Sequence, residues 1–312
     1  MKTRLLLVFL LWSVSLYGQV GVELLVYSVK GQVTLIENNN EAKLKIGKVL
    51  KQGAAIRTQK DSKLTMVCKQ GKPISVLQEG IFPVVNWKDS CEPEHSSLTT
   101  HYFQYIWNQL YKRSPEGQEE LKKNGPIASN SDGAPLRSEG EEIVNIKVVF
   151  NTAIDTVNFS EGDFPISWTT PGYEGRFLFQ LFNAKDGKLV FKDSVSGNQI
   201  MIGRFSKYLQ PGKSYRWLIG TKSVTIRKPR VINCVPPADL NSYIAKIDSF
   251  DFPEDPAAAY FRIGFMLEQE RFFVQAFDYY IKAVKLDRET TIYNDELIEF
   301  CRKFRIDIPD LD

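Results

Sequence analysis

The spacing of apolar residues changes along the chain, and this change constrains the fold more than any other feature. In residues 24–85 and 144–230, apolar and polar side chains alternate, as Val29, Gly31, Val33 and Leu35 do, which is the pattern of half-buried strands. After residue 238 the apolar residues recur every three or four positions, as in amphipathic helices. We therefore predict a multidomain α+β protein with a small all-β domain, a β-sandwich and a C-terminal α-helical hairpin module.

A polar stretch separates the two regions of alternating residues. Residues 112–142 are rich in Pro, Gly, Ser, Asn and charged residues and contain almost no aliphatic ones. Such a composition cannot bury enough apolar surface to offset the entropy of ordering, so we predict a flexible linker over 112–143. The remaining boundaries are 24–111 for the β domain with a trailing helix, 144–235 for the sandwich and 238–312 for the helical module.

The N-terminus has the pattern of a secretory signal peptide. Lys2 and Arg4 precede an apolar run from Leu5 to Leu16, and Gly18 follows. The run is shorter than the roughly 20 residues that a membrane-spanning helix needs. We expect residues 1–18 to be removed on export to the periplasm or the cell exterior, with Ser15 as the alternative cleavage position. No transmembrane segment is then expected in the mature chain.

The chain has four cysteines, Cys68, Cys91, Cys234 and Cys301. An even number in an exported protein permits disulfides, and Cys68 and Cys91 are the two that fall within one predicted domain. Cys68 also alternates with Met66 on a predicted core strand, so the sequence leaves open a disulfide or two buried thiols. The cysteine spacings do not fit a zinc site, and we expect neither a metal nor another cofactor.

Residues 47–58 read Gly-Lys-Val-Leu-Lys-Gln-Gly-Ala-Ala-Ile-Arg-Thr, with the pattern G-x-x-L-x-x-G-x-x-I-x-T. Ser62-Lys63-Leu64 and a hairpin ending at Leu77-Gln78-Glu79-Gly80 follow. This arrangement resembles FecR-like domains over residues 26–85. The resemblance implies a periplasmic β domain of a family in which some members relay an outer-membrane signal to a sigma factor.

Residues 209–217 read Leu-Gln-Pro-Gly-Lys-Ser-Tyr-Arg-Trp. The pattern L-x-P-G-x-x-Y-x-W resembles a corner of fibronectin type III and related immunoglobulin-like sandwiches. The resemblance implies that the Tyr215 hydroxyl bonds to nearby backbone and that Trp168 belongs to the core. Domains of this kind usually act as spacers or as ligand-binding platforms.

Asp255 and Pro256 are a strong helix start, with an N-cap followed by proline at the first helical position. The residues after them occupy the consensus positions of a tetratricopeptide repeat at Tyr260, Ile263, Gly264, Leu267, Ala276, Tyr280 and Ala283. The resemblance implies two antiparallel helices that approach closely at Gly264 and Ala276 and bind a partner through the first helix. We therefore predict a partner-docking face at Arg262, Phe265 and Glu268, on a module that folds separately from the sandwich.

The charge balance and the missing catalytic motifs restrict the function. The 40 basic and 37 acidic residues nearly cancel, so we expect no nucleic-acid partner. The chain has two histidines, His95 and His101, and neither a G-x-S-x-G turn nor a phosphate-binding loop. We predict a non-enzymatic scaffold or adaptor that binds another envelope protein; the alternative is a periplasmic sensor of a small ligand or glycan. The oligomeric state stays open.

The signal-peptide pattern makes a direct prediction about the mature protein. Protein purified from the envelope of its native host should begin at Gln19 or within a few residues of it, because the signal peptidase cuts beyond the apolar core. N-terminal sequencing measures this. Retention of Met1 on most of the protein would contradict export by this route.

Overall fold

The computed structural model describes residues 23–92, 97–124, 140–143, 146–150, 152–170, 175–221, 229–249 and 253–311. The predicted signal peptide and His95 lie outside these ranges. The described residues form four β-sheets followed by a group of C-terminal helices. The predicted α+β class is therefore confirmed.

The N-terminal unit consists of two four-stranded antiparallel sheets, with strand orders β4-β1-β6-β7 and β3-β2-β5-β8. Buried residues from both sheets, including Leu24, Ile56 and Met66, form one apolar cluster between them. The strands are β1 (Glu23–Lys30), β2 (Val33–Glu37), β3 (Asn40–Lys43), β4 (Val49–Lys51), β5 (Ala55–Thr58), β6 (Lys63–Cys68), β7 (Pro73–Val76) and β8 (Gly80–Pro83).

The alternation from Val29 to Leu35 belongs to two strands and not to one continuous strand. Gly31 lies in a turn between β1 and β2 with φ +81°, a conformation that favours glycine. A Cβ at Gly31 would also lie 2.8 Å from Ser62 Oγ. The alternation does not reveal the turn, because a glycine between two alternating segments leaves the two-residue period of apolar side chains unchanged.

Two helices follow the N-terminal sheets, α1 (Leu98–Arg113) and α2 (Pro115–Asn124). A disulfide joins Cys68 at the end of β6 to Cys91, in the segment that leads to α1. The apolar stripe of α1, which includes Phe103, Ile106, Trp107 and Leu110, is buried together with Leu25 and Val67 of the first sheet. Helix α1 is the predicted trailing helix, and it covers the outer face of this sheet.

The flexible-linker prediction is wrong for residues 112–124 and 140–143. Helix α2 occupies 115–124, and Glu116 forms ion pairs with Lys48 at 3.8 Å and Lys51 at 3.6 Å. Strand β9 (Gly140–Ile143) pairs with the following strand. The ion pairs of Glu116 are with lysines distant in sequence, and β9 pairs with its neighbour in the chain. Composition alone reveals neither kind of contact. Residues 125–139 lie outside the described ranges.

The second β unit is a sandwich of two sheets, with strand orders β15-β12-β10-β9 and β11-β17-β16-β13-β14. All its strand pairs are antiparallel except β11–β17, which is parallel. Aromatic side chains meet between the sheets, as Trp168 and Phe177 do at 5.6 Å. The strands after β9 are β10 (Ile146–Phe150), β11 (Thr156–Phe159), β12 (Pro165–Thr169), β13 (Arg176–Asn183), β14 (Leu189–Ser196), β15 (Gln199–Met201), β16 (Ser214–Gly220) and β17 (Arg230–Cys234).

Two local features of the sandwich follow from short sequence patterns, and the first of them was predicted above. The backbone N–H of Gln210 donates to the Tyr215 hydroxyl at 2.9 Å, which is the bond expected at this corner. The β13–β14 hairpin turns at Gly187 with φ +70°. Both features depend on residues that are close in sequence, so local pattern is sufficient to predict them.

The C-terminal helices are α3 (Pro237–Asp248), α4 (Pro256–Gln269), α5 (Phe273–Leu286) and α6 (Thr291–Phe304). The Asp255 side chain caps α4 by accepting from the Ala258 N–H at 2.9 Å. Helices α4 and α5 form the predicted hairpin. A Cβ on Gly264 would lie 2.9 Å from Tyr280 Cδ1 and 3.3 Å from the Ala276 carbonyl oxygen, so glycine is what allows the close approach.

The helical module does not form a separate core. One continuous cluster of buried residues includes Tyr27 of the N-terminal unit, Trp217 of the sandwich and Phe261 of α4. The module that was expected to fold apart from the sandwich therefore shares a core with it. Its apolar residues share one core with the sandwich and pack on the outer face of the first N-terminal sheet, whereas the core between the two N-terminal sheets is a separate cluster. A boundary near Pro236 divides the sequence but does not divide the core that the sandwich and the helices share.

The contact at Gly264 can be tested by substitution. Gly264→Ala would gain about 1 kcal/mol of helix propensity. It would also force a methyl group against the buried Tyr280 ring, and overpacking typically costs about 1–3 kcal/mol. We expect the free energy of unfolding in urea to fall. The matched control is Gly53→Ala, whose Cβ would meet no atom within 4 Å. A Gly264→Ala protein as stable as the control would contradict the close approach.

Candidate interaction surfaces

The predicted docking face on α4 is buried, and this part of the sequence analysis is wrong. Arg262 is 1% exposed and Phe265 7%, and the side chain of Glu268 is largely covered. Helix α1 lies against this face, with the rings of Tyr102 and Tyr105 5.4 and 4.8 Å from that of Phe265. The helical period indicates which residues share a face of α4, but it does not indicate that α1 covers that face.

Arg262 is the centre of a buried polar network between α4 and the N-terminal unit. Its Nε donates to Glu254 Oε1 at 2.9 Å, Nη2 donates to the same oxygen, and Nη1 donates to the Ile247 carbonyl at 2.7 Å. The other carboxylate oxygen of Glu254 accepts from the Tyr27 hydroxyl at 2.9 Å. Desolvation raises the pKa of Glu254, although the hydrogen bonds and charge of Arg262 act in the opposite direction.

A β-bulge in β1 directs two successive side chains at the helical module. The pairing of β1 with β6 shifts between Val26 and Ser28, so Tyr27 is the extra residue. Beyond Tyr27, the Ser28 hydroxyl donates to Asp255 Oδ2 at 3.1 Å. The Thr65 hydroxyl, on the paired strand, donates to the Pro253 carbonyl. Sequence analysis missed these contacts; the available signal is Tyr27-Ser28 between two valines, which breaks the strict alternation.

The opposite side of the helical module is bonded to the sandwich. Backbone and side-chain N–H groups of Asn158 donate to the carbonyls of Arg271 at 3.0 Å and Glu270 at 2.7 Å. Phe164 packs on Phe304 at 5.2 Å. Asn158 begins the triplet Asn-Phe-Ser, which matches a glycan acceptor pattern. Its amide serves this contact instead, and a glycan there would break it.

A second polar cluster lies where α1, α4, α5 and α6 meet. The Tyr105 hydroxyl of α1 donates to Glu296 of α6. Glu268 of α4 accepts from the Tyr280 hydroxyl at 2.9 Å and from Lys303 Nζ at 2.7 Å. Desolvation, reinforced by the charge of Glu268, raises the pKa of Glu296 to about 8.

The outer face of the sheet β3-β2-β5-β8 carries apolar residues next to an ion pair. The strand registers align Ile36, Ala55 and Pro83 in one row, and Thr34, Arg57 and Ile81 in the next. Ile81 is 56% exposed. Arg57 donates to both carboxylate oxygens of Glu41, which lies opposite Ile36 on β3. This surface, here called the outer β face, combines a small apolar strip with charges of both signs.

Several other polar residues lie apart from these clusters. His101 is exposed on α1, and Asp307 and Asp310 are exposed near the C-terminus. Cys234 and Cys301 are buried thiols. Within the described ranges, no three His, Cys, Asp or Glu side chains come together in a way that could hold a metal ion. In the same ranges, every helix is too short or too polar to cross a bilayer.

Comparisons with protein-family models and with curated proteins found no match for this chain. The resemblances to FecR-like domains, immunoglobulin-like sandwiches and tetratricopeptide repeats therefore rest on the residues quoted above.

The buried Arg262–Glu254 pair makes a quantitative prediction. Arg262→Met removes the guanidinium and leaves Glu254 without its cation, and breaking a buried pair in this way costs about 3–5 kcal/mol. The double variant Arg262→Met/Glu254→Gln should recover part of this loss, because no buried charge then remains. Urea unfolding gives both free energies.

The control for this prediction is Arg57→Met, which breaks the exposed pair with Glu41. Exposed pairs contribute about 0–1 kcal/mol, so this variant should be close to wild type. Equal losses of stability in Arg262→Met and Arg57→Met would show that burial does not determine the strength of the central pair.

Proposed function

We propose that this protein is an exported, non-enzymatic envelope scaffold that holds two β units in a fixed orientation and binds another envelope protein. The observation that supports it best is that the helical module bonds to both β units. Glu254 and Asp255 at the start of α4 contact β1, and Glu270 and Arg271 at its end contact β11. A single helix hairpin thus sets the relative position of the two units.

The nature of these contacts supports a fixed arrangement. The polar bonds on the N-terminal side are buried or partly buried, and the aromatic contacts on the sandwich side belong to the same apolar cluster. Contacts between mobile domains are usually smaller and more polar than this. A rigid support for a binding surface is the role that such an arrangement suits.

The outer β face is the proposed partner-binding surface, and it replaces the buried face of α4. The N-terminal unit has two outer sheet faces, and α1 covers one of them with an apolar stripe. The other has the apolar strip of Ile36, Ala55, Ile81 and Pro83 beside the Arg57–Glu41 pair. An envelope protein with a flat apolar patch bordered by both charges matches this surface in shape and chemistry.

The proposal is tested by photo-crosslinking in the native host, with the reactive residue placed at Ile81. The control position is Ile308, which is similarly exposed at 60% but lies near the C-terminus. We expect one discrete crosslinked partner from position 81 and none from position 308. Introducing Ile36→Asp into the position-81 protein should reduce its yield roughly tenfold, because a charge in the apolar strip must be desolvated on binding.

Two outcomes would overturn the proposed function. Equal crosslinking at positions 81 and 308 would show that contact is nonspecific. The same yield with and without Ile36→Asp would show that the apolar strip does not bind the partner. Circular dichroism of the Ile36→Asp protein confirms that the sheets remain folded, so that a loss of yield reports on binding.

A further inference from the structure

The contact between α1 and the helical module has an uneven charge balance. Around Glu296, the carboxyl groups of Glu268 and Glu299 are negative neighbours, and Lys303 is the positive one. Lys303 already donates to Glu268 at 2.7 Å, and the Glu268 carboxyl is also bonded to Tyr280. Glu268 and Glu296 are covered, whereas Glu299 lies exposed beside them. Burial is the main cause that disfavours a charge on Glu296, and it outweighs the Tyr105 hydrogen bond and the Lys303 charge, which favour the ionised carboxyl.

Tyr105 connects this cluster to α1. Its hydroxyl donates to Glu296, and its ring packs on Phe265 of α4. Close by, Arg113 of α1 pairs with Asp295 of α6 at 2.8 Å and donates to Thr291 at 3.2 Å. The cluster is therefore part of the surface through which α1, and the disulfide-linked segment before it, attaches to the helical module.

We propose that Glu296 carries a proton in the native protein, and that loss of this proton at rising pH loosens the contact between α1 and the helical module. The titratable and charged groups facing Glu296 are Tyr105 from α1, Glu268 from α4, Tyr280 from α5, and Glu299 and Lys303 from α6. The inference concerns regulation of the internal geometry and holds independently of the proposed partner.

The direction of the pH effect follows from proton linkage. An unperturbed glutamate has a pKa of about 4.3, whereas the pKa of Glu296 is raised to about 8 in the folded protein. Between these values the native state binds one more proton than the unfolded state, so stability falls as the pH rises. The stabilisation by the proton on Glu296 is fully present at pH values below the pKa of this group in the unfolded state. It is lost at pH values above the pKa of this group in the folded state.

The first test compares the wild type with Glu296→Gln, which resembles the protonated carboxyl in size and has no charge. Hydrogen exchange at about pH 6 and about pH 9 reports the opening of α1, as protection factors corrected for intrinsic exchange. In the wild type, the protection of amides in 98–113 should fall roughly tenfold or more over this interval. In Glu296→Gln it should stay nearly constant.

Thermal unfolding over the same interval gives a second signature. Glu296→Gln should match the wild type at about pH 4 and become progressively more stable than it up to about pH 8. Above that pH the difference should be constant. The comparison variant is Glu299→Gln, which removes one negative neighbour of Glu296. Its loss of stability with rising pH should be smaller than that of the wild type and complete at a lower pH, because the pKa of Glu296 falls, but the pH dependence should not be abolished.

Two results would overturn the proposal. One is an unchanged pH profile of α1 protection in Glu296→Gln. The other is an infrared spectrum of the wild-type protein at about pH 6.5 without the carbonyl band of a protonated carboxyl, since the proposal requires most Glu296 to be protonated there. The infrared measurement needs no variant, so it decides the matter even if Glu296→Gln fails to fold.

Discussion

The buried ion pair between Arg262 and Glu254 is the interaction on which the assembly of this protein depends. Arg262 comes from the first helix of the hairpin, and its partner carboxylate is bonded to Tyr27 of the first strand. A buried charge is tolerated when its hydrogen bonds are satisfied, and it is costly when they are not. The pair therefore favours the one orientation in which Tyr27, Glu254 and Arg262 meet. It disfavours other orientations of the helical module, because they would leave a buried charge without its partner.

The remaining contacts extend this arrangement on both sides of the hairpin. The bulge in β1 turns Tyr27 and Ser28 towards the helices, and without it one of them would face the interior of the N-terminal unit. On the other side, Phe164 and Phe304 join the sandwich to α6. Polar bonds set the orientation on the side of the N-terminal unit, and aromatic packing supplies buried area on the side of the sandwich. The helical module is therefore part of the sandwich core and packs on the outer face of the first N-terminal sheet.

The elements that could be predicted from the sequence depend on residues that are near one another in the chain. Asp255 caps α4, Gly187 turns the β13–β14 hairpin, and Tyr215 bonds to Gln210 five residues away. In each case a side chain or a glycine satisfies a requirement of adjacent backbone, so the pattern contains the physical cause. The alternation from Val29 to Leu35 did not reveal the turn at Gly31 for the opposite reason. The turn packs against Ser62, which is distant in sequence, and the period of the apolar residues contains no information about that contact.

By itself, the sequence determined the α+β class, the succession of two β units and a helical module, and the side chains that share a face of α4. Only the tertiary structure decided that Arg262, Phe265 and Glu268 lie on a covered face, because the covering residues Tyr102 and Tyr105 belong to a helix far earlier in the chain. The period of a helix specifies which side chains point together. What they meet there, and hence whether they bind a partner or hold the molecule together, depends on which apolar surfaces pack when the whole chain folds.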